Sequence, residues 1–198
     1  MTFEPTLVAP NLPELIEGER IVLRTWRFTD APELWAAVDE SRERLGRWME
    51  WLDGHVSIVD SQEYCRRMAA AWAERTNLAL GIWSRDERRL LGATGYHGID
   101  WSVPSFEIGY WIREGEEGKG YVTETVRLLT RFAFGPLAAQ RLWLTCDVAN
   151  ARSRAVPERL GWVREAYLRN HQRRPDGTLR DTLLYALVPG DPAALSQP

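Results

Sequence analysis

Cysteine is scarce in this chain: Cys65 and Cys146 are the two present, far apart and in different expected elements. That argues against a disulfide framework and against a cysteine-bound metal site, and it fits a reducing, cytoplasmic setting. No apolar stretch approaches membrane length, and no basic region followed by an apolar run opens the chain. A soluble, unexported protein with no membrane partner is the expectation. Basic excess is missing too, since 25 Lys and Arg stand against 28 Asp and Glu, a formal net charge of −3. Nucleic-acid binders usually present a basic face, so no nucleic-acid partner is expected. Arg164, Arg169, Arg173, Arg174 and Arg180 cluster late in the chain, and a solvated face is the ordinary meaning of such a run. There is no internal repeat and no low-complexity tract.

What is present bounds the rest. A length of 198 residues suits one domain with a real core. The 10 tryptophans are the one compositional excess, and rings of this size belong in the core or in the wall of a cleft. Residues 1–17, with Pro5, Pro10 and Pro13, read as an irregular arm, and 191–198 as a tail. Between them, 18–190 forms the expected domain. Ile21 to Arg24 reads as a first strand. Thr29 or Asp30 caps a helix whose apolar residues Leu34, Trp35 and Val38 share a face, and Asp60 starts another, to about Arg75, with Tyr64, Met68 and Trp72 spaced by four. Leu78 to Trp83 and Leu90 to Tyr96 form a hairpin that Phe106 to Ile112 extends. A helix over 120–134, a strand over 141–148, a helix over 151–160 and a last strand pair complete an α+β plan.

The most informative stretch is Glu117-Gly118-Lys119-Gly120-Tyr121-Val122, a glycine loop between a strand and a helix. Glycine lets backbone approach a phosphate, and the unpaired N–H groups and positive dipole end of the helix face it. A plain strand-to-helix turn looks the same, and the Walker pattern is absent. Downstream, Asn150-Ala151-Arg152-Ser153 follows a strand and precedes a helix closed by Glu158-Arg159-Leu160-Gly161-Trp162.

Taken together, the glycine loop, N-x-x-S and E-R-L-G-W resemble the GCN5-related N-acetyltransferase (GNAT) superfamily. The segment from Ser41 to Trp51, with Trp48 and Trp51, is similar to that of RimJ/RimL-type ribosomal-protein N-terminal acetyltransferases. The resemblance covers residues 18 to 190. It implies an acyl-CoA N-acyltransferase fold, with a mixed, mostly antiparallel sheet and helices on both faces. It also implies transfer of an acetyl group from acetyl-CoA to a primary amine, by direct attack in a ternary complex.

Residue by residue, the resemblance points to the amides of Gly118, Lys119, Gly120, Tyr121, Val122 and Thr123 for the pyrophosphate, with the Lys119 charge in support. Backbone at Tyr110, Trp111 and Ile112 would hold the thioester oxygen, and Asn150 the pantetheine arm, unless Asn150 is only a helix cap. Ser153 would donate to the departing thiolate; a first-turn serine is the plainer role. Glu107 is the expected base, and a strand carboxylate in a salt bridge the alternative. Trp48, Trp51, His97 and Asp181 would line the acceptor site, though each has a structural role open to it. Three departures stand out: Glu117 replaces the usual arginine or glutamine, Val122 a glycine or alanine, and Pro157 a tyrosine acid. They put coenzyme A affinity and acid assistance in question. A thiol with pKa near 8.5 leaves without such help, so its loss is tolerable.

Only a neutral amine attacks. An α-amine, with pKa of about 7.7 to 8.0, needs about 3.4 kcal/mol less deprotonation work than lysine at about 10.4. A protein N-terminus is therefore the favoured amine acceptor. A polyamine or aminoglycoside, or a catalytically silent acyl-CoA-binding module, remains the alternative, and a homodimer stays open.

Overall fold

The computed structural model describes residues 12–195. Along the chain come β1 (Leu15–Glu17), β2 (Ile21–Arg24), α1 (Ala31–Glu40), α2 (Arg42–Leu45), α3 (Ile58–Glu74), β3 (Leu78–Ser84), β4 (Leu90–Asp100) and β5 (Ser105–Ile112). They continue with α4 (Tyr121–Phe134), β6 (Arg141–Asp147), α5 (Ala151–Arg159), β7 (Val163–Arg173), β8 (Leu179–Leu187) and α6 (Pro192–Leu195). The strands make one sheet in the order β1-β2-β3-β4-β5-β6-β8-β7. Every neighbouring pair is antiparallel except β5 and β6, which are joined through the crossover helix α4.

Strand alternation divides the core between the two faces of the sheet. Ile21, Leu23, Leu78, Leu80 and Ile82 point to the face covered by α4, where Val126, Leu129 and Phe132 are buried. Val22, Ala79 and Trp83 point the other way, against Leu34 and Val38 of α1 and Met68 of α3. Four tryptophans (Trp26, Trp72, Trp83 and Trp162) are buried in this way.

One break in the sheet shapes the candidate site. β5 and β6 pair only at Ser105, Phe106 and Glu107 with Arg141, Leu142 and Trp143. Beyond that point β5 stays with β4 as far as Ile112, and β6 stays with β8 as far as Asp147. The two parallel strands therefore part, leaving a wedge with unpaired backbone on its walls.

The structure corrects several sequence expectations. Leu15–Glu17, placed in the irregular arm, is a strand paired with Ile16 opposite Leu23; a strand of three residues is too short for a periodic signal. Pro5 and Pro10 of that arm lie outside the described residues. Helix α3 begins at Ile58, because Ser57 is its cap and Asp60 closes the capping box from the third position. The expected tail contains α6, whose Ala193 is buried against the core. Among the described residues, no helix is long and apolar enough to cross a membrane.

Candidate active site

The loop before α4 has the geometry of an anion cradle. Gly118 and Gly120 have φ of 73° and 84°, in the left-handed region that glycine enters freely. Glu124 is the first α4 amide with a carbonyl of its own, Gly120 O at 3.0 Å. Among the described residues, no turn, cap or side-chain acceptor takes the amides of 117–123. Arg20 explains how they are aimed. Its guanidinium donates to Lys119 O at 2.8 Å and to Glu124 at 2.9 Å, and lies 5.2 Å from the centre of the Tyr121 ring. A trans peptide directs its N–H opposite to its C=O, so fastening the Lys119 carbonyl turns the Gly120 amide away from Arg20 and into the cradle.

The departures in this loop have local answers. Glu117 lies 2.6 Å from Arg44 and 3.4 Å from Arg152, so its charge is met by two guanidinium groups, and its other oxygen accepts from Gly115 N at 2.9 Å. The branched side chain of Val122 packs against the core beside α4. The Lys119 ammonium is 2.7 Å from Glu116, which reduces the free positive charge expected of it. Thr123 contributes an open amide while its hydroxyl accepts from Arg159 at 3.0 Å.

The wedge holds the next group. Arg113 N donates to Leu91 O, and Thr94 Oγ1 to Gly109 O, so odd-numbered residues of β5 face β4. Alternation then turns the amides of Tyr110 and Ile112 into the wedge, beyond the last β5–β6 bridge at Glu107. Trp111 departs from the expectation, since its amide belongs to the β4 side and only its ring faces a cleft. Asn150 caps α5 by accepting Ser153 N at 3.1 Å. The Ser153 hydroxyl lies 3.3 Å from the Tyr110 hydroxyl, which in turn donates to Ser153 O at 3.0 Å. Burial pushes the Tyr110 phenol above its ordinary value, against the pull of the Ser153 hydrogen bond.

The wedge opens onto a cleft of about 700 Å³ whose wall includes Trp48, Trp51, Trp111, His97, Glu107 and Ser153. The His97 position is opposite Glu107 in the β4–β5 register, and its Nε2 lies 3.3 Å from Glu107 Oε2. Thr145 donates to the other Glu107 oxygen at 2.9 Å. His97 thus has the partner that sequence alone did not reveal, and Glu107 combines contacts to His97 and Thr145 with a seat in the cleft. Trp51 stands 6.2 Å from Trp111 and 5.8 Å from His55, ring centre to ring centre. Four carboxylates (Asp60, Glu63, Glu107 and Asp147) line the cleft against two arginines, Arg67 and Arg180. Burial would raise the Asp147 carboxyl, but hydrogen bonds from Arg174 at 2.6 and 3.1 Å outweigh it and hold it below the usual range.

Asp181 is the expected acceptor residue that the fold takes elsewhere. Its carboxylate accepts from Tyr167 OH and from Asn170 N on β7, and it is not part of the cleft wall. Residues missed from sequence are Arg20, Arg44 and Thr145, each brought in from a distant element.

A parted parallel strand pair, open loop amides and a carboxylate in the adjoining cleft define an acyl-carrier-dependent transferase. The chain belongs to the acetyltransferase (GNAT) domain family, whose profile matches residues 20–163. It is an acetyl-CoA-dependent N-acetyltransferase, with acetyl-CoA as co-substrate. YdaF of Bacillus subtilis (strain 168) is 30% identical over 175 residues, covering 86% of this chain and 92% of that protein. The [ribosomal protein uS5]-alanine N-acetyltransferase of Escherichia coli (strain K12) is 24% identical over 194 residues, covering 91% and 94%. Among solved structures, the ribosomal L7/L12 α-N-protein acetyltransferase RimL in complex with coenzyme A superimposes with a TM-score of 0.81 at 21% identity, covering 88% of this chain and 98% of that one.

Proposed function

We propose that this enzyme acetylates the N-terminal α-amine of a protein by direct attack on the thioester. Acetyl-CoA would lie with its diphosphate on the amides of 118–123 and its thioester in the wedge, facing the Tyr110 and Ile112 amides. Asn150 would orient the pantetheine arm, and Ser153 would donate to the sulfur as thiolate forms. Glu107 would take the proton of the incoming amine, and half-exposed His97 beside it offers that proton a way to solvent.

The observation that carries this reading is the Glu107 carboxylate, held by Thr145 and His97 in the wall of a cleft richer in acidic than in basic side chains. Such a cleft attracts a cation, and a lone carboxylate is a weak base, suited to the amine that is easiest to deprotonate. The exposed apolar residues Trp51, Val56, Ile58 and Val59 beside the cleft also suit a polypeptide that continues past its first residues. Relatives named as ribosomal-protein acetyltransferases are consistent with this choice.

The test is thiol release from acetyl-CoA with an acceptor panel. Short peptides with a free N-terminus are expected to give kcat/KM at least about tenfold above spermidine or an aminoglycoside, and the same peptides with a blocked N-terminus and a lysine to give almost none. A polyamine or aminoglycoside outperforming every peptide would refute the protein acceptor.

A further inference from the structure

Pro157 lies inside α5, in its second half. A proline has no N–H, so the carbonyl four residues earlier loses its helical partner. That carbonyl belongs to Ser153. It is the same oxygen that accepts the Tyr110 hydroxyl at 3.0 Å. The site where the resembled family often carries a tyrosine thus holds a residue that opens a carbonyl, and a tyrosine from β5 closes it.

We propose that Tyr110 is a positioning residue for Ser153, and that Pro157 creates the acceptor by which it does so. The proposal rests on the placement of Ser153 beside the sulfur given above. Tyr110 has one proton, and the Ser153 carbonyl takes it. The phenol oxygen is then left to accept the Ser153 hydroxyl, 3.3 Å away. Ser153 is gripped at three points: its amide by Asn150 at 3.1 Å, its carbonyl by the Tyr110 hydroxyl, and its own hydroxyl by the phenol oxygen. The last of these is long and neutral. When negative charge develops on sulfur, the serine proton swings to it and exchanges that bond for a shorter, charge-assisted one. Burial keeps the phenol protonated, so no proton leaves Tyr110 and its task is geometric. Without the tyrosine, the first turn of α5 would carry an unmet carbonyl at the residue that must be held still.

A double-mutant cycle tests this, using Tyr110→Phe, Pro157→Ala and the pair, each read by urea unfolding and by steady-state kinetics with acetyl-CoA and the best acceptor. Tyr110→Phe alone is expected to lower kcat roughly tenfold while KM for acetyl-CoA stays within about twofold. In the Pro157→Ala background the helix amide returns to the Ser153 carbonyl, and the same change should then cost less than about twofold in kcat, with matching non-additivity in unfolding. Equal losses in both backgrounds would overturn the proposal, as would an unchanged kcat for Tyr110→Phe. Ser153→Ala separates the two levels: full activity there, with the unfolding coupling intact, would sink the placement of Ser153 beside the sulfur rather than the link between hydroxyl and carbonyl.

Discussion

Gly120→Trp is expected to abolish coenzyme A binding, lowering affinity by at least about 100-fold, or about 2.8 kcal/mol. Gly120 sits at φ 84°, and a Cβ built on it would lie 3.2 Å from the Arg20 guanidinium that aims the loop. A side chain there therefore strains the turn and displaces the Arg20 guanidinium that fastens the Lys119 carbonyl and so aims the loop amides. Gly115→Ala separates strain from the displacement of Arg20, because Gly115 has φ 78° with nothing within 4 Å of a Cβ. That control should retain affinity within about fivefold, the cost of strain alone being near 1 kcal/mol. Isothermal titration calorimetry with coenzyme A measures both. Unchanged affinity in Gly120→Trp would refute the cradle.

Glu107→Gln should lower kcat at neutral pH by about 100-fold while leaving coenzyme A affinity unchanged. Glutamine keeps the volume and an oxygen for Thr145 to donate to at this position, so the change removes a base and little else. The pH profile carries the stronger signature. With the carboxylate present, a bound ammonium can be deprotonated in the cleft, so kcat stays near its plateau below the pKa of the free amine. With glutamine, only amine that arrives neutral reacts, and the rate should climb with pH toward the α-amine range of about 7.7 to 8.0. Parallel profiles for wild type and variant would show that Glu107 is only a strand carboxylate in an ion pair.

Local features of this site were legible in the sequence, while features assembled across the fold were not. The glycine loop is six consecutive residues, and the turn into α4 that makes it a candidate phosphate cradle follows from their order along the chain. Asn150 and Ser153 are three apart at a helix start, so the cap was visible as well. Arg20 reaches Lys119 from 99 positions away, and nothing near residue 20 marks it as the support of a loop. The answer to Glu117 was hidden for the same reason: Arg44 belongs to a short helix whose place is set by packing. The strand pattern put His97 at the end of one strand and Glu107 on the next, but their pairing depends on the β4–β5 register, which an irregular connection after His97 leaves open to sequence reading. Asp181 was misplaced because alternation allows two faces, and hydrogen bonds from Tyr167 and Asn170 draw its carboxylate to β7. Pro157 was recognised as a missing acid. Its second effect, an open carbonyl at Ser153, needs the third dimension to acquire a partner.

The most direct test of the whole account is a crystal structure of the enzyme with acetyl-CoA bound. Diphosphate oxygens should lie within about 3.2 Å of loop amides between Gly118 and Thr123. The thioester should thread between β5 and β6, with its oxygen toward the Tyr110 or Ile112 amide and its sulfur near Ser153. A carrier bound outside that wedge, with the loop amides left to solvent, would contradict it.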